Sequence, residues 1–351
     1  MITVVFTLYL IFIIYIAIGL LRLHFQQIQE APKDFAGEKV TVVMAVKNEA
    51  KTIKKCLNCF LNQTYKNVEL IIVDDNSSDE TASFVQKSAL FSSGRLRLLT
   101  ATGYGKKMAI QQAISEAKTE IILTADADVS YPPKWVETMV ASYKTSKANL
   151  VIGPVKMSKD FPAQCMEYLS IMAVTAGSAG NKNALMCNAC SLAFSKEWYG
   201  KCDVQLNVPS GDDMFLLEST KKLGGTVHFC SSPDAVVTID GSKNILEFFR
   251  QRARWTSKAP HYTDYSIIRA GALVLLMQCL MVAIYVMSFY KPILLLWVLA
   301  KYLIDMIILL PVAIKHKKTS VLVYSPLVAL YYPVYVVLTA ILSLLPIRWK
   351  N

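Results

Sequence analysis

No stretch of this chain repeats another, none is of low complexity, and none carries an apparent nucleic-acid-binding motif. Charge is scarce: Asp, Glu, Lys and Arg make up 18% of the 351 residues, against 54% hydrophobic residues. With a mean hydropathy of +0.37 the chain is too apolar for an ordinary soluble protein. The apolar excess sits at the two ends, which predicts a membrane protein with a soluble middle. Acidic residues are the scarcer sign, 26 against 37 Lys and Arg, for a net charge of +11. The basic residues cluster at the borders of the apolar runs. They point to anionic lipid headgroups or a phosphorylated substrate as partners, and to no nucleic acid.

The first apolar run covers 2–21, long enough to span a bilayer. No basic residue precedes it and no small-residue cleavage site follows, which predicts an anchor at 1–22 and not a cleaved signal. Arg22, His24 and Lys33 come next. The positive-inside rule then puts the N-terminus outside and the following domain in the cytoplasm. Three further runs, 268–290, 292–314 and 319–345, make a C-terminal membrane segment at 268–345. Lys315, His316, Lys317 and Lys318 mark the loop between the last two as cytoplasmic, so the Tyr290-Lys291 turn is external. Pro326 and Pro333 allow a kink or a re-entrant hairpin in the last run. Ahead of these runs, 243–258 sets Lys243, Arg250, Arg252, Arg254 and Lys258 beside Ile245, Leu246, Phe248, Phe249 and Trp255. That is the pattern of a basic amphipathic helix at the membrane interface. Residues 161–175 fit either a membrane-surface segment or a buried core helix.

Between the ends, 39–157 alternates strand and helix patterns. Strands are expected at 40–46, 68–73, 96–100, 120–125 and 150–155, and helices at 50–61, 79–90, 106–117 and 133–143. Such alternation predicts an α/β domain built on a parallel sheet with helices on both faces. Two Cys-x-x-Cys pairs, Cys56/Cys59 and Cys187/Cys190, have a spacing that zinc could use. Cys56 and Cys59 share a helix stripe with Ile53, Leu57, Phe60 and Leu61, however, which is a core face. Reduced thiols in a cytoplasmic domain are the expectation.

Several strand ends carry chemistry. The run 121–125 ends in Asp126 and Asp128, which strand alternation places on one side at the sheet's carboxyl edge. Two close carboxylates repel unless a cation joins them. Mn²⁺ or Mg²⁺ carrying a diphosphate suits, since hard cations bind one or two carboxylates plus phosphate oxygens. Asp74 and Asp75 close the second strand, followed by the polar run Asn76-Ser77-Ser78-Asp79 that starts a helix. Asp75 could accept from a base imide, and Asp74 could bond a ribose. Ala45, Lys47 and Glu49 close the first strand at the same edge. Gly105-Lys106-Lys107 opens a helix whose lysines can reach a base or a phosphate. Gly211-Asp212-Asp213 opens another, where a carboxylate can act as general base on an acceptor hydroxyl. Gln251-Arg252-Ala253-Arg254-Trp255 offers Arg254 to a leaving diphosphate and Trp255 as a flat wall for a sugar.

In this order, these motifs resemble the family 2 glycosyltransferases of the GT-A fold, in their membrane-integrated branch, over about 38–258. The resemblance implies a Rossmann-like, mostly parallel sheet at 38–240, with one N-terminal and about three C-terminal transmembrane helices. It implies that Asp74 and Asp75 bind uridine, with Ala45, Lys47, Glu49 and Lys107 around the nucleotide. Asp126 would touch ribose or metal, and Asp128 would bind the metal. Asp213 would be the base, next to Asp212. Gln251, Arg254 and Trp255 would hold acceptor and diphosphate. The stretch Asn188-Ala189-Cys190-Ser191 looks like the family's acceptor loop, with cysteine where a small residue is more usual. Two departures stand out: Lys47 replaces an aromatic residue common in the family, and the base motif reads Gly-Asp-Asp instead of Thr-Glu-Asp.

The expected function is inverting, metal-dependent transfer of a sugar from a nucleotide sugar, a UDP-sugar, to a lipid-linked or glycan acceptor at a bacterial plasma membrane. The rivals are a processive polysaccharide synthase that exports its polymer and an inactive membrane scaffold. The intact acids argue against the scaffold. The predicted spans offer few polar groups to line an export path: Gln278, Lys301 and Asp305, the last two spaced to pair with each other.

Overall fold

The computed structural model describes residues 2–26, 37–158, 162–208, 210–242 and 244–344. Lys33, Phe161, Lys243 and residue 345 of the last apolar run lie outside the described residues. The first half of the chain forms α1 (Ile2–Gln26), β1 (Val40–Val46), α2 (Ile53–Leu61), β2 (Val68–Asp74), α3 (Thr81–Gln86), α4 (Ala89–Ser92) and β3 (Leu96–Thr100). Then come α5 (Lys106–Glu116), β4 (Ile121–Ala125), β5 (Val129–Ser130), α6 (Trp135–Ser146), β6 (Leu150–Ile152), β7 (Val155–Met157) and α7 (Pro162–Gly180). After these follow β8 (Leu192–Ser195), α8 (Lys196–Lys201), α9 (Asp212–Lys222), β9 (Val227–Phe229) and β10 (Val237–Ile239). Helices α10 (Ile245–Thr256), α11 (Tyr265–Ser288), α12 (Leu295–Lys315) and α13 (Ser325–Leu342) complete it.

The chain divides into two compact units. The sheet unit comprises 24–156 and 187–240. Its seven-stranded sheet has the order β3-β2-β1-β4-β8-β6-β9. Strands β3, β2, β1 and β4 are parallel, and β8 runs antiparallel to both β4 and β6. Strands β1, β2 and β4 are almost wholly buried apolar runs, as strands covered on both faces must be. In register, Val46 faces Asp74 and Met44 faces Ala125. The carboxyl ends of β1, β2 and β4 therefore come together at one sheet edge.

Three expectations are corrected. The run 150–155 is two strands in two sheets, with β7 joining β10 and β5. The cause is Gly153-Pro154: Gly153 lies so close to Ser191 that a Cβ would meet its Oγ at 1.9 Å, and Pro154 has no amide to continue a ladder. The helix expected over 79–90 breaks into α3 and α4, because Ser88 turns extended and its hydroxyl caps the Phe91 amide at 3.2 Å. The helix expected from 50 begins at Ile53, because the Ala50 amide donates to Asp79 Oδ2 at 3.1 Å. The cysteines are all free thiols.

The membrane-type unit comprises 1–23, 157–186 and 241–351. Among the described residues four helical stretches are long and apolar enough to cross a membrane: Ile2–Phe25, Tyr265–Ser288, Pro292–Lys315 and Thr319–Leu342. The last contains a 3-10 turn and then α13 with Pro333 inside, so among the described residues it is one helix and not a hairpin. Most of α7 is buried, which decides 162–175 for the core helix. It lies against α1 at backbone distance, since a Cβ on Gly19 would meet the Gly177 carbonyl at 1.7 Å. Two sets of paired charges stand out in this unit. Lys301 Nζ reaches Asp305 at 2.5 Å, and the Tyr9 hydroxyl donates to the same carboxylate at 2.8 Å. Arg252 on α10 donates Nη2 to Glu167 on α7 at 2.6 Å, and Tyr335 on α13 donates to Glu167 at 2.5 Å.

Candidate active site

The site is built at the carboxyl edge of the sheet unit. Asp74 closes β2 and accepts from the Ser77 amide at 3.2 Å and from its hydroxyl at 2.5 Å. Asp75 is 2% exposed and anchored by its amide on the Val46 carbonyl at 2.8 Å. Its Oδ2 accepts from the Gly105 amide at 3.2 Å and lies 3.6 Å from Lys47 Nζ. Its Oδ1 is buried with no hydrogen-bond partner among the described residues. An orphaned buried oxygen is costly, so it asks for a donor from a ligand. Ala45 pairs with Val73 in the ladder. Glu49 is held locally, its amide on Thr81 Oγ1 and its carboxylate accepting from the Thr52 hydroxyl, each at 2.8 Å.

Gly105 starts α5 at φ +91°, a conformation L side chains rarely adopt. The two lysines that follow diverge. Lys107 is buried: its Nζ donates to the Val204 and Gln205 carbonyls at 3.0 and 2.9 Å and lies 4.4 Å from the centre of the Phe215 ring. It ties down the loop ahead of α9. Lys106 is the lysine that faces the acids, with Nζ 2.6 Å from Asp126 Oδ1.

Strand β4 ends at Ala125, so Asp126 and Asp128 both lie in the turn beyond it, Asp126 half-buried and Asp128 exposed. The turn is fastened from below by Tyr131. Its hydroxyl accepts from the Asp126 amide at 2.8 Å and donates to the Cys190 carbonyl at 3.2 Å. Phe60 and Trp135 enclose its ring. Thr124 adds a hydroxyl to the Ala189 carbonyl at 2.5 Å. On its other side the same loop meets α9: the Ala189 amide donates to Asp213 Oδ2 at 3.2 Å, while Asp213 Oδ1 accepts from the Met214 amide at 2.8 Å. Asn188 carries a buried Nδ2 with no hydrogen-bond partner among the described residues, a donor for a ligand. Tyr131 and Thr124 were invisible as site residues in the sequence. Tyr131 stood only in a Tyr-Pro-Pro turn, and Thr124 was one more residue of a strand.

Electrostatics couple these groups. Burial raises the pKa of Asp126, and the Asp128 and Asp212 carboxylates add to that against the opposing pull of Lys106. Burial works against the Lys106 ammonium, but Asp126, then Asp212 and Asp213, outweigh it and hold it charged. Burial pushes the Cys190 thiol up, with Asp126 adding to the effect. Four carboxylates and one lysine thus share one field. Among the described residues no three His, Cys, Asp or Glu side chains converge into a metal cage. The hard oxygen donors Asp126 and Asp128 do fit a Mn²⁺ or Mg²⁺ that completes its shell with phosphate oxygens.

The Gln251-Arg252-Ala253-Arg254-Trp255 motif lies on α10, in the membrane-type unit. Arg252, between the expected positions, is the buried one, and its guanidinium lies over the rings of Phe248 and Trp255 at 4.4 and 4.5 Å. One face of Trp255 is therefore covered by an arginine. Gln251 accepts from the Ser242 hydroxyl at 3.2 Å and from Arg252.

Comparison with known proteins bears on the family and the fold. Glycosyltransferase GlyG of Streptococcus pneumoniae is 32% identical over 117 residues, 33% of this chain and 38% of that protein. The undecaprenyl-phosphate 4-deoxy-4-formamido-L-arabinose transferase of Proteus mirabilis is 34% identical over 113 residues, 30% of this chain and 33% of that protein. The chain thus spans about a third of the length of these curated relatives. In fold it is similar to a mannosyltransferase of Pyrobaculum calidifontis solved with GDP-mannose and Mn²⁺, at TM-score 0.60 and 19% identity over 98% of this chain and 99% of that one. The α/β unit with its mostly parallel sheet is a GT-A fold. Residues 41–201 match the model of glycosyl transferase family 2, so this stretch of the chain carries a domain of that family.

Proposed function

We propose that this chain is an inverting glycosyltransferase, set in a bacterial plasma membrane, that moves a sugar from a UDP-sugar to a lipid-linked acceptor. The observation that carries the reading is the convergence of Asp126, Asp212, Asp213 and Lys106 in one field at the carboxyl edge of a family 2 domain. Asp75 brings an unsatisfied oxygen for a base N–H, and Asp74 and Lys47 stand beside it. Asp213, held by the Ala189 amide, takes the proton of an acceptor hydroxyl, which attacks the anomeric carbon opposite the nucleotide. Asn188 offers its free amide donor to the acceptor. Asp128, with Asp126, would hold Mn²⁺ or Mg²⁺, which when bound supplies charge stabilisation to the departing diphosphate. Gln251, Arg254 and Trp255 keep the acceptor and diphosphate roles that the resemblance implies.

Two further points support a lipid-linked product. The Proteus mirabilis relative is named for an undecaprenyl-phosphate acceptor. In the membrane helices Lys301 and Asp305 pair with each other and with the Tyr9 hydroxyl, which commits these two charges to helix packing. The flanking charges support a glycosyltransferase domain, 38–240, on the cytoplasmic side, with 1–22 and 268–345 as anchors and 243–258 at the interface. The test incubates membranes with a panel of labelled nucleotide sugars and separates organic and polymer fractions. Label in the organic phase, lost in Asp213→Asn, is expected. Label in a high-molecular-weight, glycosidase-sensitive polymer would support the processive synthase, and no transfer from any donor would support the scaffold.

A further inference from the structure

We propose that Lys106 is a tethered counter-cation that competes with the divalent ion for Asp126 and, when displaced, pairs with the diphosphate that arrives with the ion. The inference rests on the metal reading of Asp126 and Asp128 above. Its own support is geometric. The ammonium makes one direct contact, 2.6 Å to Asp126 Oδ1, and neither side chain is more than a quarter exposed. Lys106 is a cation in the field of Asp126, Asp212 and Asp213, and its positive charge offsets the repulsion among these carboxylates. A cation at 2.6 Å occupies one of the two oxygens an ion would use. Ion and ammonium cannot both keep that oxygen.

The neighbouring lysine shows that this placement is specific. Lys107 has the same charge, is next in sequence, and is fixed on two backbone carbonyls with its ammonium over the Phe215 ring. It has no freedom to follow a ligand. Lys106 is held by a single carboxylate from the first residue of α5, and Asp75, the orphaned carboxylate assigned to the base, binds the amide just ahead of it through Gly105. A diphosphate between the base site and the Asp126 turn lies within reach of a four-carbon stem rooted there. Lys106 would then change partner: from Asp126 to phosphate oxygen, with no net change in the number of its ion pairs. The exchange keeps the acids balanced before loading and strengthens binding of ion and diphosphate together over ion alone.

The test measures Mn²⁺ binding to the purified full chain in detergent by the spin-resonance signal of free Mn²⁺, with and without inorganic pyrophosphate as a base-free diphosphate. Lys106→Met should bind Mn²⁺ alone more tightly, by about tenfold, because a unit charge in contact with the site is removed. Pyrophosphate should tighten Mn²⁺ binding several-fold more in the wild type than in Lys106→Met, because only the wild type has the released ammonium to offer. Lys106→Arg keeps the charge and should behave as the wild type, which separates loss of the cation from damage to the fold. Equal Mn²⁺ affinity in wild type and Lys106→Met overturns the exchange while leaving the metal reading intact. Absence of any Mn²⁺ binding that Asp128→Asn removes overturns both.

Discussion

The two units use their acidic side chains in different ways. In the membrane-type unit each buried acid has a dedicated partner: Glu167 holds Arg252 and Tyr335, and Asp305 holds Lys301 and Tyr9. These sets close on themselves, as groups in an apolar surround must. Large apolar side chains face outward instead, Leu296 at 60% and Leu303 at 57% exposure. In the sheet unit the apolar residues are inside, and Asp126, Asp128, Asp212 and Asp213 act on a shared field that one lysine counters. One unit spends its charges on architecture. The other gathers its carboxylates around one site, which is a condition for binding a cation and moving a proton.

This contrast predicts that removing an acid has different consequences on the two sides. Glu167→Leu leaves the Arg252 guanidinium buried without its carboxylate, and should cost about 3–5 kcal/mol in denaturant unfolding of the detergent-solubilised chain. Adding Arg252→Met to it should recover most of that loss, since an unpaired charge and not a missing contact is the source. Asp213→Asn should do the reverse. The amide still accepts from Ala189, so the unfolding curve should hardly move, while transfer falls by at least ~10²-fold with nucleotide binding intact. If Asp212→Asn is the more damaging in the transfer assay, the base has been assigned to the wrong member of the pair.

A smaller effect separates the two lysines of α5. Lys107→Met strips two carbonyls, the buried Val204 and the half-buried Gln205, of their donor. Unsatisfied groups of this kind cost about 1–3 kcal/mol. The loss should show in the unfolding midpoint and as faster proteolysis within 203–207, ahead of the helix that carries Asp213. Unchanged cleavage there would mean that the loop is held by other groups.

Much of this was legible in the sequence, and the gaps have physical causes. Strands β1, β2 and β4 read clearly because burial on both faces leaves nearly continuous apolar runs. The membrane helices read clearly from length alone. Strand β8 did not: four residues, Leu192–Ser195, have no period to detect, and their antiparallel place between β4 and β6 comes only from long-range pairing. The acids at 126, 128 and 213 were visible as residue types. That Lys106 and not Lys107 meets Asp126 was not, since adjacent residues leave a helix start about 100° apart and nothing local says which faces the site. Likewise the basic character of 243–258 was plain, but the choice of Arg252 for burial depends on Glu167, 85 residues away.

The smallest effect sharpens the comparison from the side of the sheet unit's far edge. His228 lies on β9, the edge strand, opposite Val151. Burial lowers its pKa below the ordinary imidazole value, with no carboxylate contributing. The sign follows from proton counting. Below the unfolded-state pKa, near 6.5, the unfolded chain holds a proton on this ring that the folded chain binds less readily, so stability falls as pH drops through that value and is fully present above it. One such group can contribute a slope of no more than about 1.4 kcal/mol per pH unit, and a partly accessible ring contributes less. Unfolding measured between pH 5 and 8 should therefore show a shallow rise with pH that flattens in His228→Gln. The site acids should leave a different mark over the same range: a response to added Mn²⁺, which His228 does not share. A pH slope that survives His228→Gln but disappears on adding Mn²⁺ would move its origin from the edge strand to the acid cluster.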